Sequence, residues 1–163
     1  MSDKTLSRLV RHMAWANNKL FTQLSDLPEE ALSYSAWNPE WTVGKIANHI
    51  VIAQGRLISR LKKEDAPPEK EFELTSEGMR KLAQKSAEND LVLHEFLNMP
   101  DEQLTFVRYG KTVTFLSTTV FAQTIHHATE HRAQIADILA VNNMDVINLD
   151  EIDLWSFERI ESN

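Results

Sequence analysis

The sequence predicts an all-α fold: a four-helix bundle with a short β-hairpin before its last long helix and a short C-terminal helix. Three observations carry this. Four segments repeat apolar residues every three or four positions, the spacing that collects side chains on one face of an α-helix. Only one passage combines β-branched and aromatic residues densely enough for strands. The 163 residues, 42% hydrophobic and 25% charged, suit one domain spanning 1–163. A chain of that length buries roughly 70% of its unfolded surface, so it folds without disulfides or a structural metal.

The first helix runs from about Lys4 to Leu24, with Leu6, Leu9, Met13, Ala16, Leu20 and Leu24 on one face. Leu27 to Trp41, interrupted by Pro28 and Pro39, reads as an ordered connection, because Trp37 and Trp41 are of a type seldom left in water. Thr42 is the N-cap of a second helix whose inward stripe is Ile46, His49, Ile50, Ala53, Leu57 and Leu61. That helix stops before Ala66-Pro67-Pro68, since proline turns its predecessor away from helical dihedrals. Thr75 or Ser76 caps a third helix that reaches about Asn98, with Leu82, Ala83, Leu91, Phe96 and Leu97 as its apolar residues and Pro100 closing it.

Residues Leu104 to Phe115 place strand-forming side chains on both sides of Gly110, which predicts a hairpin that must lean on the helices. The fourth helix runs from about Thr118 to Asn142, with Val120, Thr124, His127, His131, Ile135 and Ile138 along one line. Asn143 takes the left-handed position that ends it. The tail holds Val146, Ile147, Leu149, Ile152, Leu154, Trp155 and Phe157, too apolar for a loose end, so Leu149 to Arg159 is expected to dock as a short helix.

Composition excludes several function classes. Seventeen Lys+Arg against 24 Asp+Glu give a net charge of −7, which opposes nucleic-acid binding. The absence of cysteine removes disulfide frameworks, thiolate metal sites and Cys nucleophiles together. No window approaches the ~20 apolar residues of a membrane span, and the start Met1-Ser2-Asp3-Lys4 leads into no apolar leader core, so a cytoplasmic protein without a membrane partner is expected. Four glycines leave neither a phosphate-binding loop, nor a dinucleotide fingerprint, nor a G-x-S-x-G elbow.

The histidines carry the chemistry. His127 and His131 stand four apart on a strongly periodic helix, which places their imidazoles side by side as a metal pair would require. His49, on the inward stripe of another helix, is the best third nitrogen. Three imidazoles leave a divalent ion its full charge and an open position. His12 is more readily a core residue, while His126 points about 100° away from His127 and His94 has no partner of ligand type at a useful spacing. His127-Ala-Thr-Glu-His131 also fits H-x-x-E-H, but too little chain follows for such a peptidase, and Glu130 reads as a surface carboxylate. Arg56, Arg60, Lys62 and Lys63 suit a solvated helix C-terminus.

Met13-Ala-Trp15-Ala-Asn17, Trp41-Thr-Val-Gly-Lys-Ile-Ala-Asn-His49, His127-Ala-Thr-Glu-His131-Arg132-Ala-Gln134-Ile135 and Leu149-Asp150-Glu-Ile152 together resemble, in order, the signatures of the DinB family of metal-binding four-helix bundles. Asn143 departs from that pattern, standing where the family usually has Gly. The resemblance places the metal ligands on His49, His127 and His131 and implies Zn or Ni and a homodimer. It further implies a metal-dependent thiol S-transferase acting on a small electrophile, with a low-molecular-weight thiol as cosubstrate since the chain has no Cys. A non-catalytic metal-binding or stress-response dimer is the alternative, and a metal-dependent hydrolase a weaker one. A transferase needs a cleft beside the metal with cationic or polar groups, for which Arg132, Gln134 and Tyr109 are the nearest candidates. Arg132 is read first as a surface partner of Glu130 or Asp137 and is not assigned a catalytic part.

Overall fold

The structure, a computed structural model, describes residues 4–162; the Met1-Ser2-Asp3 start lies outside the described residues. Four long helices, α1 (Lys4–Asp26), α2 (Val43–Lys62), α3 (Ser76–Glu95) and α4 (Ser117–Val141), follow the four periodic segments closely. The strands β1 (Gln103–Arg108) and β2 (Lys111–Leu116) lie between α3 and α4, and α5 (Leu154–Glu161) comes last. The described residues are thus mostly helical, with five α-helices and one two-stranded antiparallel sheet among them. Helix α1 packs on α3 and α4, and α2 on the same two, so every long helix is covered on two sides. Met13, Leu20, Phe21, Ile46, Ile50, Met79, Leu82, Phe121, Ile135 and Ile138 fill the shared core, each burial worth about 1.5–3 kcal/mol. Among the described residues no helix is long and apolar enough to cross a membrane.

The helix ends are set by local chemistry. The Thr42 hydroxyl accepts from the Lys45 backbone at 3.3 Å, and that of Thr75 from the Gly78 backbone at 3.0 Å. At the other end, Lys63 and Asn143 both adopt φ 60°. There the amides of Glu64 and Met144 reach back to Ser59 and Leu139 carbonyls at 2.9 Å, the doubled bonding of a Schellman cap. Asn143 does what its residue type foretells. Lys63 ends α2 the same way with no such cue.

The hairpin pairs Gln103 with Leu116 through Arg108 with Lys111, and its turn is Tyr109 (φ 50°) and Gly110 (φ 73°). Two successive positive φ values make the type I′ turn whose twist matches the strands, and the glycine makes it accessible. The hairpin leans on the helices as expected, with Leu104 buried and Phe106 packed against the core.

Three sequence expectations are corrected. Leu91 is 72% exposed, because the buried line of α3 runs through Met79, Leu82, Ser86, Asn89 and Leu93 instead. Trp37 is also exposed, unlike Trp41. The tail does dock through Ile147, Ile152 and Phe157, but as two pieces. A 3-10 turn at Leu149–Ile152 precedes α5 because Asp153 is extended and caps α5, accepting from the Ser156 amide at 2.7 Å. Leu154 and Trp155 remain exposed.

Candidate metal centre

Helices α2 and α4 pack against each other, and their facing stripes carry His49 on one side and His127 and His131 on the other. Each offers one nitrogen, and the three nitrogens lie within 4.8 Å of one another. Nε2 of His127 is 3.0 Å from Nε2 of His49 and 3.1 Å from Nε2 of His131. Nitrogens bound to one tetrahedral zinc at 2.0–2.1 Å lie about 3.3 Å apart, and both separations from His127 fall within a few tenths of an ångström of that spacing. The sequence-derived trio is therefore brought together.

Two neighbours hold the rings. His131 Nδ1 donates to the Gln134 side-chain oxygen at 2.7 Å, which puts the proton on Nδ1 and leaves the Nε2 lone pair facing the centre. The Trp41 indole N–H donates to the same oxygen at 3.4 Å, and its ring lies edge-on to His49 and His131 at 5.1 and 5.8 Å. Burial, with smaller contributions from His131 and His49, pushes the His127 pKa down to about 4. His49 is likewise lowered, first by burial and then by His131 and Arg56. Both rings are thus held neutral, the form that ligates a metal.

A cleft of about 550 Å³ opens from His49 and His127, walled by Arg56, Leu57 and Arg60 of α2, Phe106 and Arg108 of β1, and Val120 of α4. His131 does not line it and sits behind, beneath Trp41. Tyr109, 89% exposed, stands at the mouth of the cleft.

The other polar candidates fall elsewhere. Arg132 is buried, not on the surface: it donates to the Asn17 side-chain oxygen at 2.7 Å and to the Thr129 hydroxyl at 3.0 Å. Gln134 is spent on His131 and Trp41. His12 is a core residue whose Nε2 donates to the Ile152 carbonyl at 2.8 Å. Glu130, His94 and His126 are exposed. The cleft arginines were missed as site residues, although their spacing could have found them: Arg56 and Arg60 stand seven and eleven positions after His49, on its own helical stripe.

Residues 1–141 match the DinB family. The chain belongs to the DinB family. Its fold is similar to the crystal structure of a DinB-like protein from Bacillus cereus ATCC 10987, with a TM-score of 0.58 and 18% identity over 82% of this DinB chain and 91% of that one. At that identity the likeness shows fold alone. No curated protein matches the chain.

Proposed function

We propose that this DinB protein is a metal-dependent thiol S-transferase, with Zn or Ni held by His49, His127 and His131 in a bundle of the four long helices. The observation that supports it most is that two of the three converging histidines, His49 and His127, line a cleft that Arg60 and Arg108 also line. A protein that only stores a metal has no use for such a cleft, whereas a transferase must seat a second molecule beside the ion. A bound divalent ion supplies Lewis acidity that lets a thiol lose its proton near neutral pH. The chain's own part is to keep His49 and His127 neutral by burial, to fix His131 through Gln134, and to place Arg60 and Arg108 where an anionic cosubstrate or electrophile would lie. The reacting thiol comes from a small cosubstrate. A homodimer in the cytoplasm is the expected setting.

Metal analysis of untagged protein tests the first half, with one equivalent expected and its loss in His127→Ala. The second half is tested by supplying the Zn or Ni protein with several low-molecular-weight thiols and a panel of electrophiles. Metal at one equivalent with no transfer for any pair would leave a metal-binding protein and overturn the transferase.

A further inference from the structure

The cleft is not uniform along its length. His49 and Arg60 are eleven residues apart on α2, roughly 16 Å along the helix axis, so one end is imidazole and the other guanidinium. Between them the wall is apolar, formed by Leu57, Phe106, Phe115 and Val120. At the far end Arg56 is already paired with Glu69. Among the described residues no carboxylate pairs with Arg60 or Arg108. The Arg60 guanidinium lies 4.8 Å over the Phe106 ring and 3.5 Å from the Val107 carbonyl, and that of Arg108 lies 4.9 Å over the Tyr109 ring. Stacking on a ring leaves guanidinium N–H donors free for an anion, and over the half-buried Phe106 it also restrains the Arg60 side chain. In a chain of net charge −7, two cations without acidic partners beside one apolar cleft form a local reversal of sign.

We propose that the cleft takes a small molecule with an apolar aryl or alkyl body and one terminal anionic group, the anion held by Arg60 and Arg108 and the other end lying against His49 and His127. The placement of that second end rests on the metal reading; the grip on the anion does not. A volume of about 550 Å³ suits one such molecule. Carboxylate and phosphate share the chemistry required, and the guanidinium fork matches either.

The test is calorimetric titration with 4-phenylbutanoate, 4-phenylbutyl phosphate and the uncharged 4-phenylbutanamide. Both anions are expected to bind at least tenfold more tightly than the amide at 50 mM salt, with the preference shrinking at 500 mM. Whichever anion binds more tightly is the group that the arginine pair prefers. Arg60→Gln with Arg108→Gln should erase the preference, while Arg80→Gln, on an exposed arginine of α3, should leave it intact. Arg60→Lys with Arg108→Lys, keeping the charge on a similar stem, should retain part of it and guards against a folding defect. His127→Ala should remove metal and keep the preference. If the amide binds as well as the anions, if no ligand binds at millimolar concentration, or if the double Gln variant still discriminates, the inference falls and the metal reading stands. If His127→Ala abolishes the preference, the anion sits at the histidines and the arginine assignment is wrong. If the wild type takes up no metal, only the metal reading fails.

Discussion

His131 Nδ1 and the side-chain oxygen of Gln134 stand 2.7 Å apart, three residues along the same helix. That bond selects the tautomer in which Nε2 has its lone pair free, and the Trp41 N–H on the same oxygen fixes which way the amide faces. Gln134→Ala should therefore weaken metal binding by about 10–100-fold, the usual loss when a partner behind a ligand goes. Gln134→Glu, which still accepts, should restore most of it. Competition with a chromogenic chelator reads the change. Equal affinity in wild type and Gln134→Ala would show that the bond does not orient the ligand.

Arg132 and Asn17 form the second tie, across 115 positions of sequence and between α4 and α1. Burial lowers the guanidinium pKa to about 10, so it stays charged at neutral pH with amide and hydroxyl oxygens for acceptors. Asn17→Ala takes away the 2.7 Å acceptor and leaves a buried charge under-satisfied, at a cost of about 2–3 kcal/mol. For a chain of this size that is a fall of roughly 5–10 °C in Tm. Urea denaturation monitored by circular dichroism measures it. Because neither residue lines the cleft, substrate binding at a temperature where the variant is folded should be unchanged.

The limits of sequence reading follow from such pairs. The ligand trio was legible because i,i+4 spacing fixes the relation of His127 to His131, and His49 shares a stripe with plainly apolar Ile46 and Ile50. Arg132 was misread because one residue's step of about 100° around α4 should turn it to solvent, and it does so only on a helix buried on one side. Helix α4 is covered by α1 as well as α2, so that step leads into a second interface. On α3 the buried line is a regular three-and-four alternation, but Ser86 and Asn89 occupy two of its positions, and polarity hid the pattern while Leu91 drew the eye outward. The hairpin wall of the cleft depends on tertiary docking that no local pattern encodes.

The polar positions of α3 carry a pH dependence. Asp90, beside Asn89, accepts from the Gln54 side chain, yet burial outweighs that bond and pushes its pKa up to about 7. With a folded pKa above the unfolded value of about 3.9, protonation favours the fold. The contribution is complete below about pH 4 and is lost as pH rises through about 7. Asp90→Asn keeps an acceptor for Gln54 and removes the charge, so it should match wild type near pH 4 and exceed it by roughly 1–3 kcal/mol at pH 8. Urea midpoints at the two pH values give the comparison; the same difference at both would rule out Asp90 as the titrating group.

The two left-handed helix ends should respond unequally to glycine. Lys63 and Asn143 share φ 60°, a conformation that costs an ordinary side chain about 1 kcal/mol or more but that Asn tolerates through its short polar group. Glycine relieves that strain and also loosens the unfolded chain, which takes back about 0.4–1 kcal/mol. For Asn143→Gly the two effects nearly cancel, and Tm should move by less than about 2 °C. For Lys63→Gly the relief is larger, and the ion pair it sacrifices, Nζ to Glu102 at 3.0 Å, is exposed and worth little. Lys63→Gly should therefore hold or raise Tm by about 1–3 °C, whereas Asn143→Val, which puts a β-branched side chain at positive φ, should lower it by several degrees. Thermal melts of the three variants give the order Lys63→Gly, Asn143→Gly, Asn143→Val from most to least stable. A reversed order of the first two would mean that Lys63 is held in place by more than its backbone bonds.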